Sequence, residues 1–461
     1  MRLRGLRYPL VLVLVAVLAY GLGLNFQQSL SVLFLGGMVG ATLMFWRYRL
    51  VFAFFALSLM LATNLLEVEL LIEYAHLDTI IFLASMMMVV GYLEEARFFE
   101  VLIDKVLVLI GLRPRLLMVF FMGVSGLLAA LVDEVTSILI MTAILLDYTS
   151  RYNLNPTKFI IMSVFATNIG SSATVVGNPV GVLIAFEAGL SFAEFLRWAT
   201  PISILSLLLS IGVILLWLRG DIAQLEQAMR RETLVKAADP RSTGENKIDI
   251  RTPAFIFIAT IAGLILHTPI EQALGLGKNV MLLGTPIFFA AIVLLLERER
   301  ARELVERRID WWTLLFFMIF FASVGTLSHT GTTAVLADVL VENVGTSLEP
   351  LVLVVMLAGG MMSAFMDNVL AVATWIPILQ TLEDFGVNTY PLWWSMLFAG
   401  TFWGNLTVIG STANIVAVGM LERRERIHIS FREWIGIGAA VTIPTTALAL
   451  LMIILQLPLM I

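Results

Sequence analysis

Three acidic residues lie in the middle of long apolar stretches of the chain. Asp133 and Glu134 are adjacent in the first half, and Asp367 is followed by Asn368 in the second half. A carboxylate at the centre of a bilayer costs on the order of 2.5–3.5 kcal/mol on insertion scales, so such residues are kept where protein, an ion or water compensates them. We predict that these residues form a proton or ion site, with Asp133 and Asp367 as the ligands if the coupling ion is sodium.

A second set of candidate residues follows each acidic pair, where small and polar residues interrupt an apolar stretch. They are Asn168, Ser172, Thr174, Gly177 and Asn178 in the first half, and Asn405, Thr407, Gly410, Ser411 and Asn414 in the second half. Residues of these types unwind a helix and leave backbone and side-chain polar groups free for a ligand. Glycines and serines in membrane helices also serve close packing. Because both halves carry such an interruption, we favour a substrate or ion site.

The composition indicates that these candidate residues belong to a membrane protein. The chain has 461 residues, of which 59% are hydrophobic and 14% charged, and its mean hydropathy is +0.95. Apolar stretches of about 17–25 residues, long enough to span a bilayer as a helix, recur along it. The sequence therefore predicts an all-α polytopic membrane protein, with the lipid bilayer as a partner.

Several classes of function are excluded by the same composition. The net charge of −5 and the scattered Lys and Arg give no basic face for nucleic acid. The chain has no cysteine, no HExxH motif and no histidine among the acids, so an enzyme is not predicted. No cofactor is predicted either, beyond a proton or sodium as coupling ion. A channel remains an alternative to a carrier, because broken helices also line pores.

The distribution of Lys and Arg sets the topology. We predict about eleven transmembrane helices plus two re-entrant hairpins, with the N-terminus cytoplasmic and the C-terminus outside. This arrangement leaves only Arg197 and Lys278 on the outer side, as the positive-inside rule requires. The alternative is that the first hairpin forms two tight crossings with its acids at an aqueous turn, and the charge distribution opposes it. We predict a multi-pass protein of the cell (plasma) membrane.

Three pairs of similar segments recur in the same order in the two halves. LVDEVTSILIMTAIL (131–145) matches FMDNVLAVATWIPIL (365–379), TVVGNPVGVLIA (174–185) matches TVIGSTANIVAV (407–418), and SFAEFLRW (191–198) matches SFREWIGI (430–437). Each repeat has an odd number of predicted crossings, so the second copy is inverted, as in secondary transporters. The predicted parts are an N-terminal helix (1–28), a first inverted repeat (29–219) with hairpin 116–147 and broken helix 158–188, a cytoplasmic linker (220–252), and a second inverted repeat (253–461) with hairpin 349–380 and broken helix 391–421.

The repeated motifs resemble those of a known superfamily. DEVTS and DNVLAVATWIP at the hairpin tips, NIGSSATVVGNP in the first break and GNLTVIGSTANIVAVGMLERRE in the second are similar to the ion transporter superfamily. That superfamily includes arsenite permeases, NhaD-type sodium–proton antiporters, the melanosomal P-protein and, more distantly, divalent-anion sodium symporters with a citrate-transporter-like domain.

The resemblance implies a mechanism and a set of ligands. It implies a homodimer in which a transport domain of hairpins and broken helices moves against a scaffold in an elevator-like cycle. It also implies that the small ion or anion substrate touches Asp133, Glu134, Asn178, Asp367, Asn368, Ser411 and Asn414.

The sequence departs from the superfamily pattern at several positions, and these departures favour some candidate substrates over others. The Ser-Asn-Thr triplets of the dicarboxylate symporters are absent from both hairpin tips. Asn178 stands where relatives have an acidic residue or Thr, which weakens a sodium site, and Glu134 adds a carboxylate where antiporters have Asn. We therefore predict a secondary active transporter that moves a small inorganic or carboxylate anion, with arsenite or antimonite favoured, coupled to protons. The alternatives are a sodium–proton antiporter and a sodium-coupled di- or tricarboxylate symporter.

Overall fold

The computed structural model describes residues 8–110, 113–236 and 249–460, and every regular element within these ranges is a helix. This confirms the all-α class. The first half contains helices Tyr8–Gly21, Phe26–Met44, Arg49–Ala62, Val68–Glu73, Leu77–Glu95, Phe98–Ile110, Pro114–Leu131, Glu134–Arg151, Thr157–Gly170, Pro179–Glu187, Phe192–Trp217 and Arg219–Lys236. The second half contains helices Arg251–Ile265, His267–Leu274, Val280–Leu296, Ala301–Arg308, Trp311–His329, Thr332–Val344, Leu348–Phe365, Asn368–Asp384, Tyr390–Trp403, Thr412–Glu425 and Phe431–Met460.

The lengths and apolar character of these helices fit a multi-pass membrane protein. Within the described ranges, seven helices are long and apolar enough to span a membrane, or up to eight if the bent pair Arg251–Ile265 and His267–Leu274 forms one span. Tyr8–Gly21 and Val280–Leu296 are shorter apolar helices that our count of crossings includes. The exact number of eleven stays a prediction. The predicted linker begins as helix Arg219–Lys236, and its residues 237–248 lie outside the described ranges.

Each hairpin turns at one of the acidic pairs. The first hairpin consists of Pro114–Leu131 and Glu134–Arg151, and Asp133 between them accepts hydrogen bonds from the backbone N–H groups of Val135 (2.7 Å) and Thr136 (2.8 Å). In the second hairpin Asp367 caps the second arm in the same way, through the Val369 N–H at 3.1 Å. A carboxylate at this position satisfies free amides and complements the helix dipole. The acids therefore fix where each hairpin turns.

Each half also contains a helix that is interrupted in its middle. In the first broken helix, regular structure stops at Gly170, passes through two short 3₁₀ turns and resumes at Pro179, where the Asn178 side chain caps the Gly181 N–H at 2.7 Å. In the second, it stops at Trp403 and resumes at Thr412. Pro and capping side chains are well suited to restart a helix because the first-turn amides need no partner within the helix.

The two halves use matching contacts to hold each break against its own hairpin. The Thr174 hydroxyl donates to the Ala130 carbonyl, and the Thr407 hydroxyl donates to the Ala364 carbonyl. In both cases the acceptor lies at the end of the hairpin's first arm. Because the sequence repeat aligns these two threonines, the same local architecture is built twice.

The halves also exchange contacts with each other. The second arm of the first hairpin, Glu134–Arg151, packs on Thr412–Glu425 of the second broken helix, and the second arm of the second hairpin, Asn368–Asp384, packs on Pro179–Glu187. We call the two hairpins, the two broken helices, Phe192–Trp217 and Phe431–Met460 the hairpin group. The helices that pack around it, Phe26–Met44, Arg49–Ala62, Leu77–Glu95, Arg251–Ile265, Val280–Leu296 and Trp311–His329, are the flanking group. The inverted orientation of the repeats stays a prediction.

Candidate functional site

Glu134 lies at the contact between the two halves. Its side chain is buried, with 1% of the residue exposed. The Asn368 amide of the second hairpin donates to both carboxylate oxygens at 3.3 Å, and the Ser411 hydroxyl of the second break donates to Oε1 at 3.5 Å. These distances are at the long end for hydrogen bonds to a carboxylate. Glu134 is therefore a buried acid held loosely by polar groups of the opposite half.

Asn168 connects the first broken helix to the second. Its amide nitrogen donates to the side-chain oxygens of Asn405 (2.8 Å) and Asn414 (2.9 Å), and its side-chain oxygen accepts from the Ser411 hydroxyl at 3.1 Å. All four residues are buried. The Asn414 amide in turn holds the Thr407 carbonyl at 2.8 Å. This amide cluster joins Glu134 through Ser411, so one polar network crosses the interface between the repeats.

The two aspartates at the hairpin tips have different surroundings. Asp367 is buried, and its Oδ2 accepts from the Thr412 hydroxyl of the second break at 2.5 Å. Asp133 is half-buried and uses its Oδ1 to cap its own helix. Neither aspartate, nor Glu134, takes part in the ion pairs formed between described residues. Three carboxylates thus lie near the interface, and no described Lys or Arg forms an ion pair with them.

The remaining predicted site residues shape the first break and its surroundings. The Asn178 amide donates to the Ser171 hydroxyl at 2.7 Å, and that hydroxyl donates to the Asn168 carbonyl at 3.0 Å. Ser172 shares a hydrogen bond of 2.7 Å with Ser203 of the next helix. Thr174 and Thr407 are the threonines that tie each break to its hairpin. These side chains position the backbone of the breaks. Their contact with a substrate stays a prediction.

Gly177 and Gly410 occupy places where backbone segments approach closely. A Cβ at Gly177 would lie 2.0 Å from the Ser171 carbonyl oxygen, and a Cβ at Gly410 would lie 2.9 Å from the Gly404 carbonyl oxygen. Because a carbonyl of the same tight turn cannot move aside, neither position has room for a side chain. Close packing is a sufficient reason for glycine at both.

Gly177→Ala should destabilise the protein by about 1–3 kcal/mol, the usual cost of forcing extra volume into a closed site. The measurement is the melting temperature of the purified protein in detergent. Gly123→Ala in the first hairpin is the matched control, because nothing lies within 4 Å of an added Cβ there, and we expect it to be neutral or stabilising. An unchanged melting temperature for Gly177→Ala would contradict the close packing described here.

A cavity of about 290 Å³ lies between the hairpin tips and the end of helix Leu77–Glu95. Its lining includes Asp133, Glu134 and Thr412 from the hairpin group, and also Glu94 and Arg308. Arg308 binds Glu94 at 3.1 Å, and also Glu95 at 3.1 Å. The cavity therefore places two carboxylates of the first hairpin tip beside the charged groups at the ends of helices Leu77–Glu95 and Ala301–Arg308.

A second polar cavity, of about 510 Å³, lies at the opposite end of the same helix. Helix Leu77–Glu95 has 19 residues, or about 28 Å at 1.5 Å per residue. His76 before its first residue binds Glu187 of the first broken helix at 2.7 Å, and Gln380 of the second hairpin donates to the same carboxylate at 2.9 Å. The two cavities thus lie at the two ends of a helix long enough to span a membrane.

Thr412 is one of the polar residues that interrupt the second broken helix in the sequence, and its contact with Asp367 adds it to the site. Sequence reasoning missed Arg308 and the pair His76–Glu187. Arg308 and His76 lie at helix ends, where charged residues normally face water, and their place in cavities depends on tertiary packing alone.

Within the described ranges, no group of three or more His, Cys, Asp or Glu side chains could hold a metal ion. The polar network instead offers amides and hydroxyls, which both donate and accept hydrogen bonds, beside carboxylates that bind a proton or a monovalent cation. Such a site can bind a small oxygen-rich solute together with a coupling ion.

Comparison with known proteins assigns the chain to a family. A model described as citrate transporter (CitMHS) matches residues 39–399, and a second match covers 324–460. An uncharacterized transporter of Mycobacterium bovis is 32% identical over 378 residues, which cover 81% of this chain and 84% of that protein. The P protein of Homo sapiens is 25% identical over 436 residues, which cover 80% of this chain and 52% of the P protein.

The fold is also similar to that of a solved transporter. The YdaH transporter of Alcanivorax borkumensis, described as having an unusual topology, superposes with a TM-score of 0.53 at 13% identity, over 84% of this chain and 87% of that one. At this identity the similarity concerns the fold. Together with the matched family model and the mycobacterial relative, the helices, paired hairpins and broken helices identify this chain as a member of the citrate transporter (CitMHS) family of secondary transporters.

Proposed function

We propose that this chain is a proton-coupled carrier of a small inorganic or carboxylate anion, with arsenite or antimonite the favoured substrate and Glu134 the proton carrier. The observation that carries the proposal is the setting of Glu134, which is buried at the interface of the repeats and, among the described residues, held by Asn368 and Ser411 at 3.3–3.5 Å. A buried charge without a partner is strongly destabilising. Proton binding removes this cost, so Glu134 is suited to alternate between a protonated and an ionised state.

The surroundings of Glu134 support coupling between the proton and a substrate. Ser411 contacts both Glu134 and Asn168, so a change at the carboxylate reaches the amide cluster through one hydroxyl. Helices beginning at Glu134, Asn368 and Thr412 present their N-termini near the same place, and helix N-termini favour negative charge. An anion and a protonated Glu134 can therefore occupy the region together.

The chemistry of the amide cluster suits a neutral hydroxide or a carboxylate. Arsenite and antimonite at neutral pH are uncharged trihydroxides, and amides and hydroxyls can bind them without cysteine. The family name favours a carboxylate substrate such as citrate. Sodium binding at Asp133 and Asp367, which would make the protein an antiporter or a sodium-coupled symporter, is the remaining alternative.

An elevator-like movement of the hairpin group against the flanking group fits the position of the cavities. In our predicted topology the cavity with Glu94 lies on the cytoplasmic side and the cavity with His76 lies outside. The hairpin group carries the carboxylates between these two ends in our proposal. The pair His76–Glu187 joins the two groups and must separate during such a movement. By analogy with the superfamily, the working unit is a homodimer in the plasma membrane.

The test is transport by the purified protein in liposomes that contain a pH-sensitive dye and are held at a clamped membrane potential. Arsenite, antimonite, citrate, succinate, sodium and lithium are added in turn. We expect a saturable pH change on adding arsenite, antimonite or a carboxylate, and no pH change in liposomes that contain the dye but no protein. A pH change with sodium or lithium alone would replace the proposal with a cation–proton antiporter. Substrate uptake that requires sodium and moves no protons would replace it with a sodium symporter.

A further inference from the structure

A cavity of about 1050 Å³ lies between the flanking group and the hairpin group, outside the candidate site. One wall is the end of helix Phe26–Met44 and the turn after it, and the other is the helix Thr412–Glu425, with Leu139 of the first hairpin and Ile409 of the second break. We call this cavity the crevice.

The crevice is lined mainly by apolar side chains that protein leaves uncovered. Leu43 is 39% exposed, Leu139 37% and Ile409 43%. Ile409 belongs to the non-helical segment of the second break, and its neighbours Thr407 and Gly410 are buried. Irregular backbone at membrane depth has to be covered by protein or lie beside a cavity. An apolar occupant of the crevice would therefore seal the outer side of the break that carries Ser411.

Two arginines, Arg47 and Arg423, line one part of the crevice. Both are exposed, and neither forms an ion pair with a described residue. Their neighbour Glu422 is engaged by His428 at 2.7 Å, and the adjacent Arg424 faces Asp147 at 3.8 Å. Glu422 also lines the crevice, but no described residue forms an ion pair with Arg47 or Arg423. By charge topology both lie on the cytoplasmic side, where anionic lipid headgroups attract Lys and Arg.

We propose that the crevice binds one anionic phospholipid, with an acyl chain against Leu43, Leu139 and Ile409 and the headgroup phosphate between Arg47 and Arg423. Arginine suits this role because its guanidinium binds phosphate oxygens in a bidentate manner. The lipid bridges the flanking group and the hairpin group. It covers the second break with a fluid chain, which allows the groups to slide past each other without exposing the site to water.

Gly419 offers a way to fill the crevice without disturbing the protein. It lines the cavity, and nothing lies within 4 Å of an added Cβ. Gly419→Leu therefore projects a side chain into the space that we assign to the acyl chain. Gly436→Leu is the matched control, because Gly436 also has nothing within 4 Å of an added Cβ and does not line the crevice.

The experiment measures lipid retained by the purified full chain. Detergent-solubilised protein is titrated with phosphatidylglycerol or phosphatidylcholine, and bound lipid is counted by native mass spectrometry. We expect the wild type and Gly436→Leu to bind one phosphatidylglycerol roughly thirty times more tightly than phosphatidylcholine, because each arginine contributes about 1 kcal/mol toward an anionic lipid and the choline cation offsets the phosphate charge of phosphatidylcholine. Gly419→Leu and the double variant Arg47→Gln/Arg423→Gln should lose this preference, whereas Arg298→Gln, which changes an exposed arginine outside the crevice, should keep it.

Three results would overturn the proposal. Unchanged phosphatidylglycerol binding by both Gly419→Leu and the double arginine variant would place the lipid elsewhere. Equal binding of the two lipids to the wild type would remove the role of the arginines. A loss of dimer in either variant, measured by light scattering, would mean that a second copy of the chain fills the crevice. Melting temperatures of all variants exclude loss of fold as the cause, and none of these readouts depends on the transported substrate.

Discussion

Glu134→Gln is expected to abolish proton-driven accumulation of substrate in liposomes and to leave exchange of substrate across the membrane in place. Glutamine has nearly the shape of a protonated glutamic acid, but it cannot release a proton. Asn368 and Ser411 can still form hydrogen bonds to its side chain, so we expect the free energy of unfolding to change by less than about 1 kcal/mol. The measurements are uptake driven by a pH gradient and exchange of labelled substrate at equal concentrations.

Glu271→Gln is the matched control for this variant. Glu271 is also buried, at 4% exposure, and binds His267 at 3.1 Å and the Met281 N–H at 2.8 Å, away from both hairpin tips. It should retain coupled transport even if the altered contact with His267 lowers its melting temperature. Coupled uptake by Glu134→Gln at the wild-type rate would mean that another group, such as Asp133 or Asp367, carries the proton.

Features set by local chemistry could be predicted from the sequence. An Asp in an apolar stretch is a strong N-cap, so Asp133 and Asp367 mark the turns of the two hairpins. Small residues followed by Pro179 or by a capping Ser411 likewise mark where each broken helix restarts. Because these signals act over a few residues, they do not depend on knowledge of the remaining fold.

Features that depend on long-range packing could not be predicted. Glu134 and Asn368 are 234 residues apart, and the local pattern of neither segment shows that they form a hydrogen bond; the resemblance to the ion transporter superfamily implied only that both touch the substrate. From the sequence, Asp133 and Glu134 are equally good candidates for the ion carrier. In the structure, Asp133 caps the N-terminus of its own helix, whereas Glu134 contacts Asn368 of the other half. The two polar cavities and the crevice form between elements from both halves, so no local pattern indicates them.

Asn168→Ala is expected to reduce both stability and transport strongly. The change removes the amide that donates to Asn405 and Asn414 and the oxygen that accepts from Ser411. Each buried polar group left without a partner costs about 1–3 kcal/mol. Because the two affected oxygens belong to buried residues, we expect a melting temperature several degrees lower and no detectable transport. Melting in detergent and uptake well below the melting temperature measure the two effects separately.

Asn168→Asp separates the role of the donor from that of the acceptor. An aspartate keeps an oxygen for Ser411, but it replaces the amide donor with a second oxygen that faces the acceptor oxygens of Asn405 and Asn414. If the cross-repeat hydrogen bonds hold the second break in place, this variant loses as much transport as Asn168→Ala. Asn343→Ala removes an asparagine from an exposed helix, and it should behave as the wild type. Full transport by Asn168→Asp would contradict this role, because the hydrogen bonds from Asn168 to Asn405 and Asn414 would then be dispensable.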